Sequence, residues 1–286
     1  MAKAPTLARS SAVMFMGTLA SRMLGLVRNA MLVAALGATG SGAADAFTVA
    51  NNAPTMIYNL LAAGVLNAIL VPQIVRALRQ KAGEEFINRL ITTAGALLAV
   101  VTGVLTVAAT IVVTIYGSQL GQWHGLATAF AYWCLPQIFF YGLYALWGQV
   151  LNAKNNFGPY MWAPVLNNII SIASLAAYLF IYGEYSGGGS PANWDFTRTA
   201  VIAGTSTLGI AIQALVLYIP LVRTGFKPRL VWGLRGSGLG QVSKVALWAV
   251  FGLIVVELST LVVYNLGTAA LSASELPEYA HTVVPS

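Results

Sequence analysis

Apolar residues gather along the chain into seven runs separated by short polar or glycine-rich intervals. The runs lie at about Ser11–Gly37, Asp45–Val71, Leu90–Ile115, Leu126–Leu151, Tyr160–Tyr182, Thr199–Leu221 and Val245–Leu266. Each could cross a bilayer as a helix, which takes about 20 residues. Glycines and prolines scattered through them break the two-residue alternation of a membrane barrel, whereas helices satisfy their own backbone in lipid. The pattern predicts an all-α fold, a polytopic membrane bundle of about seven transmembrane helices.

The intervals alternate in charge. Lys3 and Arg9 precede the first run; Arg76, Arg79, Lys81 and Arg89, beside Glu84 and Glu85, follow the second. Lys154 follows the fourth run, and Arg223, Lys227, Arg229, Arg235 and Lys244 follow the sixth. The opposite loops hold only Arg198. An excess of lysine and arginine on one side marks the cytoplasmic face, so the N-terminus is expected inside and the C-terminus outside. The charged start resembles a signal peptide, yet no small-residue cleavage site follows, which predicts a retained first helix. Expected segments are a cytoplasmic tail (1–10), a six-helix lobe (11–222), a basic cytoplasmic linker (223–244), a seventh helix (245–266) and a periplasmic end (267–286). Within Gly183–Arg198, GGGSP reads as a flexible, solvated connection.

Composition agrees. Of 286 residues, 58% are hydrophobic and 8% charged, with a mean hydropathy of +0.75. A soluble domain carries about 25% charged residues. The net charge of +7 lies in short loops, so it reports orientation rather than a nucleic-acid face. The single cysteine, Cys134, falls inside a predicted span, which excludes a disulfide framework.

Candidate chemistry concentrates in the first two runs. Arg22 lies near the middle of the first and Arg28 nearer its far end. A guanidinium at that depth costs several kcal/mol unless it faces water, a counter-charge or an anionic ligand. At about 100° per residue the two project some 120° apart, onto adjoining walls of one cavity. The alternative for Arg28 is snorkelling to an interface or internal pairing. In the second run Thr48, Asn52, Thr55, Asn59 and Asn67 form one polar face. Pro54 is expected to kink that helix and Gly64 to permit close packing. Asn52 and Asn59 read as cavity wall; Asn67 reads equally as an interhelical bond. Asp45 either caps the helix or serves as counter-charge to Arg28.

In the fifth run Asn167, Ser171 and Ser174 share a face, read first as interhelical packing and second as cavity lining. Glu257, deep in the seventh run, is a candidate for ion or proton coupling or for pairing with an arginine; the bland alternative is a protonated, hydrogen-bonded acid. Phe139–Tyr141 and Trp147 read as lipid-facing or interfacial. No glycine-rich phosphate loop, paired histidine ligands or nucleophile elbow is found. His124 and His281 fall in predicted loops, so neither a metal, a cofactor nor an enzyme is expected.

The stretches SRMLGLVRN, ADAFTVANNAPTMIYNLLAAGVLNAILVPQ and NNFGPYMWAPVLNN resemble successive landmarks of the MviN/MurJ family of lipid II flippases, in the multidrug, oligosaccharidyl-lipid and polysaccharide exporter superfamily. The resemblance covers about Ser11–Leu266. It implies a transporter in the bacterial cytoplasmic (inner) membrane that flips the undecaprenyl-pyrophosphate-linked peptidoglycan precursor by alternating access, with membrane lipid as its surroundings and cell-wall synthesis proteins as candidate partners. It also implies that Arg22 and Arg28 line the central cavity, with Asp45 at its periplasmic side. Three positions depart from the family pattern: Asn29 where many members are acidic, Tyr58 where many have arginine, and Ala63 where many have glutamate. Family members have about fourteen spans in two lobes. The chain is therefore expected to correspond to the N-terminal lobe plus one helix of the second, as a truncated product or a fragment. The alternatives to a lipid II flippase are a truncated, non-transporting membrane protein and an exporter of another lipid-linked sugar.

Overall fold

The computed structural model describes residues 7–38, 40–61, 74, 77, 83–185 and 189–233. Among them the chain is all-α. Helix α1 spans Leu7–Leu36, α2 Ala43–Leu61, α3 Gly83–Val107, α4 Ala109–Tyr116, α5 His124–Cys134, α6 Gln137–Ala153 and α7 Gly158–Tyr182. The last part comprises α8 (Phe196–Thr199), a π-helical turn (Ala200–Gly204), α9 (Thr205–Leu215) and α10 (Tyr218–Arg223). Five stretches are long and apolar enough to cross a membrane: Ser11–Leu36, Gly83–Val107, Gly121–Ala153, Gly158–Tyr182 and Phe196–Arg223. The chain is a multi-pass membrane protein. Part of the second predicted run is α2; the remainder, with Asn67, and the seventh run, with Glu257, lie outside the described residues.

Helix starts and breaks follow local chemistry. The third run begins as helix at Gly83, seven residues earlier than its apolar pattern suggests, so Glu84 and Glu85 occupy the first turn. Carboxylates there oppose the positive end of the helix dipole. Arg89 pairs with Glu85 at 3.1 Å, one turn apart. These three charges therefore belong to the helix and not to the loop the sequence suggested. The fourth run bends between α5 and α6 at Leu135–Pro136, where proline has no N–H to continue the ladder; the turn closes with Ile138 N–H to Leu135 O at 3.1 Å.

Packing is closest where side chains are small. Ala43, Ala46, Ala50 and Ala53 form a fully buried stripe on α2, met by Ala127 and Ala131 of α5. Small residues let two backbones approach in a membrane bundle. The opposite side of α2 carries exposed Thr48, Asn52, Thr55 and Asn59, so its two faces are sorted as the spacing predicted. Helix α1 lies along α7, which in turn contacts α9. Asn168 and Trp162 of α7 tie it to Ser21 and to the Val13 carbonyl. At the end of α1, Gly37 has φ +89, and a Cβ there would press on the Tyr185 ring. That close approach lets Tyr185 N–H donate to Ala34 O at 2.8 Å.

A second core lies at the opposite end, around Ile87, Leu146, Leu151, Leu217 and Phe226. The chain after α10 is laid along α3 there. Asn88 donates to Lys227 O at 2.9 Å and accepts from Arg229 N–H at 3.0 Å, and Thr92 accepts from Val231 N–H at 3.1 Å.

Candidate functional site

Five elements line a polar cavity of about 190 Å³ inside the bundle. Helix α1 contributes Arg28 and Leu32, α2 contributes Phe47, Asn51, Asn52 and Thr55, and α6 contributes Tyr141. The far wall is Asn167, Ser171 and Leu175 of α7 with Ile202 of the π turn and Thr205, Ser206 and Ile210 of α9. A second cavity of about 440 Å³ runs between α1 and α2 and shares Arg28, Leu32, Phe47, Asn51 and Asn52 with the first. Arg28 thus stands where the two meet.

The lining is polar for local reasons. A π turn widens the helix and frees carbonyls, a device common at functional sites. Here Thr205 donates to Val201 O, and Ser206 donates to Ile202 O at 3.0 Å. On the facing side, Thr55 donates to the Tyr141 hydroxyl at 3.4 Å, and Ser171 donates to Asn167 Oδ1 at 3.4 Å.

Arg28 carries the positive charge of this lining. Its Nη2 reaches Asn29 Oδ1 at 3.5 Å, a long contact. Its Nε is buried with no hydrogen-bond partner among the described residues. Leaving a buried donor unmade costs about 1–3 kcal/mol, more for a charged group. A guanidinium presenting unmet donors to a polar cavity is suited to a phosphate or carboxylate, which it can bind through two parallel bonds.

Beneath the cavity floor lies a buried polar chain. Gln137, fully buried at the start of α6, donates from Nε2 to Asn51 Oδ1 at 3.2 Å and to Thr207 Oγ1 at 3.0 Å. Thr207 donates in turn to Trp133 O at 2.6 Å. Cys134 Sγ lies 4.0 Å from the same Asn51 oxygen.

The predicted site residues divide. Arg28 and Asn52 come together at the cavities, joined by Thr55, Asn167 and Ser171. Arg22 and Asn59 are exposed, on α1 and α2, and line neither of these two cavities. Asp45 accepts from Gly40 N–H at 3.0 Å, within the α1–α2 turn, and among the described residues the ion pairs are Arg89–Glu85 and Lys154–Glu84. Ser174 lines neither cavity. Tyr141, read from sequence as lipid-facing or interfacial, instead lines the cavity. Phe139 and Trp147 are likewise partly buried against the second core. The sequence reading missed Asn51, Gln137, Thr205 and Ser206. A glutamine directly after a mid-span proline was the signal available for Gln137.

Comparison with known proteins gives a consistent picture. A family model described as "Lipid II flippase MurJ" matches residues 32–284. A probable lipid II flippase MurJ of Haemophilus influenzae is 29% identical over 259 residues, covering 85% of this chain and 48% of that protein. One of Bdellovibrio bacteriovorus is 28% identical over 280 residues, covering 94% of this chain and 49% of its own length. The lipid II flippase MurJ of Burkholderia cenocepacia is 29% identical over 260 residues, covering 88% and 48%. The chain spans about half the length of the curated relatives it matches. Among solved structures, a lipid II flippase MurJ in an inward closed conformation superposes with a TM-score of 0.59 at 18% identity, covering 85% of this chain and 48% of that one. That likeness supports a shared membrane helix-bundle fold.

Proposed function

The chain belongs to the lipid II flippase MurJ family, and on that footing we propose that it forms the N-terminal lobe of a transporter that flips a lipid-linked pyrophosphate across the bacterial cytoplasmic membrane. The observation that carries the reading is Arg28: a guanidinium whose buried Nε has no partner among the described residues, in a polar cavity between helices. Such a group is costly in a membrane protein that has no anion to bind. A pyrophosphate supplies that anion with several acceptor oxygens in one place. The substrate named for the relatives, lipid II, is the reading's choice among lipid-linked anions, and it makes the protein part of peptidoglycan synthesis.

In this account Arg28 and Asn52 hold the pyrophosphate. Arg22 and Asn59, exposed on α1 and α2, meet it as it enters or leaves along the open side. Asp45 orders the α1–α2 turn at the periplasmic mouth. Since the relatives are about twice this chain's length, the cavity closes against a second bundle by alternating access. Residues 223–244 link the two lobes, 245–266 begin the second, and Glu257 is the ion-coupling candidate there. The N-terminus is cytoplasmic, as the loop charges require.

Complementation tests the reading. In a bacterium depleted of its own lipid II flippase, the full protein should restore growth, and Arg28→Ala should fail at equal membrane abundance. Normal growth with Arg28→Ala would remove the reading's main support.

A further inference from the structure

We infer that Asn51, held by Gln137 and Thr207, is a further donor to the anionic head group beside Arg28 and Asn52, with its side-chain N–H groups locked toward the cavity. The inference rests on the phosphate-binding reading of the cavity above.

The direction of the buried hydrogen-bond chain decides the orientation. Thr207 has one hydroxyl hydrogen, and it is spent on the Trp133 carbonyl at 2.6 Å. Toward Gln137, 3.0 Å away, Thr207 can therefore only accept. Gln137 must turn its amide nitrogen to Thr207, and the other hydrogen of that nitrogen goes to Asn51 Oδ1 at 3.2 Å. Asn51 in turn has its carbonyl oxygen facing the floor, which leaves its Nδ2 as the end presented to the cavities it lines. The thiol of Cys134 points the same way, with Asn51 Oδ1 as its nearest acceptor at 4.0 Å.

Flipping the amides is not a neutral alternative. A reversed Gln137 would set its oxygen against the Thr207 oxygen, two acceptors face to face with no hydrogen between them. The observed arrangement instead leaves Gln137 Oε1 buried and without a partner among the described residues, at a cost of about 1–3 kcal/mol. A buried polar group left unmatched in this way calls for an explanation, and the fixed donor end of Asn51 beside Arg28 supplies one. An anion in the cavity then meets a guanidinium and a neutral amide donor from two different helices. Gln137 touches no ligand; it is a positioning residue. Thr207 fixes the polarity of the chain from the other side.

The test uses the full protein in lipid nanodiscs, with two probes: a polyprenyl pyrophosphate and the corresponding polyprenol, which lacks phosphate. Asn51→Leu should weaken the pyrophosphate lipid about tenfold, the scale of one hydrogen bond to a charged group, and leave the polyprenol unchanged. Gln137→Leu should weaken the pyrophosphate lipid by a similar factor in the native background and by less than about twofold in the Asn51→Leu background, because the two act as one unit. Thr207→Val should behave as Gln137→Leu, while Thr207→Ser keeps native affinity; this pair carries the test if Gln137→Leu does not fold. Native affinity in Asn51→Leu, or a full additional loss when Gln137→Leu is added, overturns the inference. Arg28→Ala separates the two levels. Loss there with native affinity in Asn51→Leu sinks only the role of Asn51, whereas native affinity in Arg28→Ala sinks the phosphate reading itself.

Discussion

Asn168 of α7 donates from one amide nitrogen to two acceptors on Ser21 of α1, the backbone carbonyl at 2.9 Å and the hydroxyl at 3.1 Å. The bond joins the two helices one residue before Arg22, and Asn168 itself is buried. Interhelical polar bonds in membrane bundles contribute about 0.6 kcal/mol on average and up to about 1.7 kcal/mol. Asn168→Leu should therefore lower stability in detergent by about 1 kcal/mol, and Ser21→Ala by less, since the carbonyl remains. Thermal unfolding of the two variants checks the order; equal stability of Asn168→Leu and the native protein would show the bond to be idle.

Gly209 on α9 faces Asn167 on α7, and a Cβ there would collide with Asn167 Oδ1. Asn167 lines the cavity and accepts from Ser171. Gly209→Val should push this wall into the cavity or spread α7 from α9, at about 1–3 kcal/mol for overpacking. Growth complementation should fail while membrane insertion persists. A fully active Gly209→Val protein would mean that this wall is not part of the working site.

The extended segment after α10 depends on Asn88, which makes one bond as donor to Lys227 O and one as acceptor from Arg229 N–H. Losing both should free Arg229, already exposed and followed by Leu230, for trypsin. In Asn88→Ala, cleavage after Arg229 should be about tenfold faster than in the native protein, following the equilibrium population of the opened segment. An unchanged rate would show that burial of Phe226 and the Thr92–Val231 bond hold the segment without Asn88.

Much of this fold was legible because lipid imposes so few solutions on a backbone. The apolar runs set the spans, and the polar face of α2 followed from spacing. What the runs could not show was where helices bend. Pro136 and the π turn at Ala200–Gly204 interrupt the regular helix in ways no periodicity records, and Tyr141, Thr205 and Ser206, which line the cavity, all follow such a break. The charge argument found Arg28, since an arginine in an apolar run is visible whatever its rotation. It favoured Arg22, the deeper of the two, because depth in a span says nothing of which neighbour a side chain faces. Gln137 was hidden by its chemistry: a neutral amide barely lowers the hydropathy of its run.

Loop charge predicts sidedness independently of the cavity. With Cys134 replaced by alanine, single cysteines at Gln122 and Asn193 should react with an impermeant thiol reagent added to intact cells, and cysteines at Asn155 and Lys227 should stay protected until the cells are opened. The first two positions lie in loops nearly free of lysine and arginine and the last two beside Lys154 and Arg229. Reversed labelling would invert the proposed orientation and exchange the mouth at Asp45 for the cytoplasmic one.

The guanidinium of Arg28 is the centre of the account, and its geometry is tested best by a charge-preserving change. Lysine keeps the positive charge but cannot present two parallel N–H groups to one phosphate. The measurement is the rate of lipid II translocation by the full protein in proteoliposomes, read with a membrane-impermeant enzyme that consumes lipid II only on the outer leaflet. Arg28→Lys should lose at least about tenfold of that rate, close to the loss in Arg28→Ala, while both variants reconstitute at native density. Translocation by Arg28→Ala at the native rate would contradict the account.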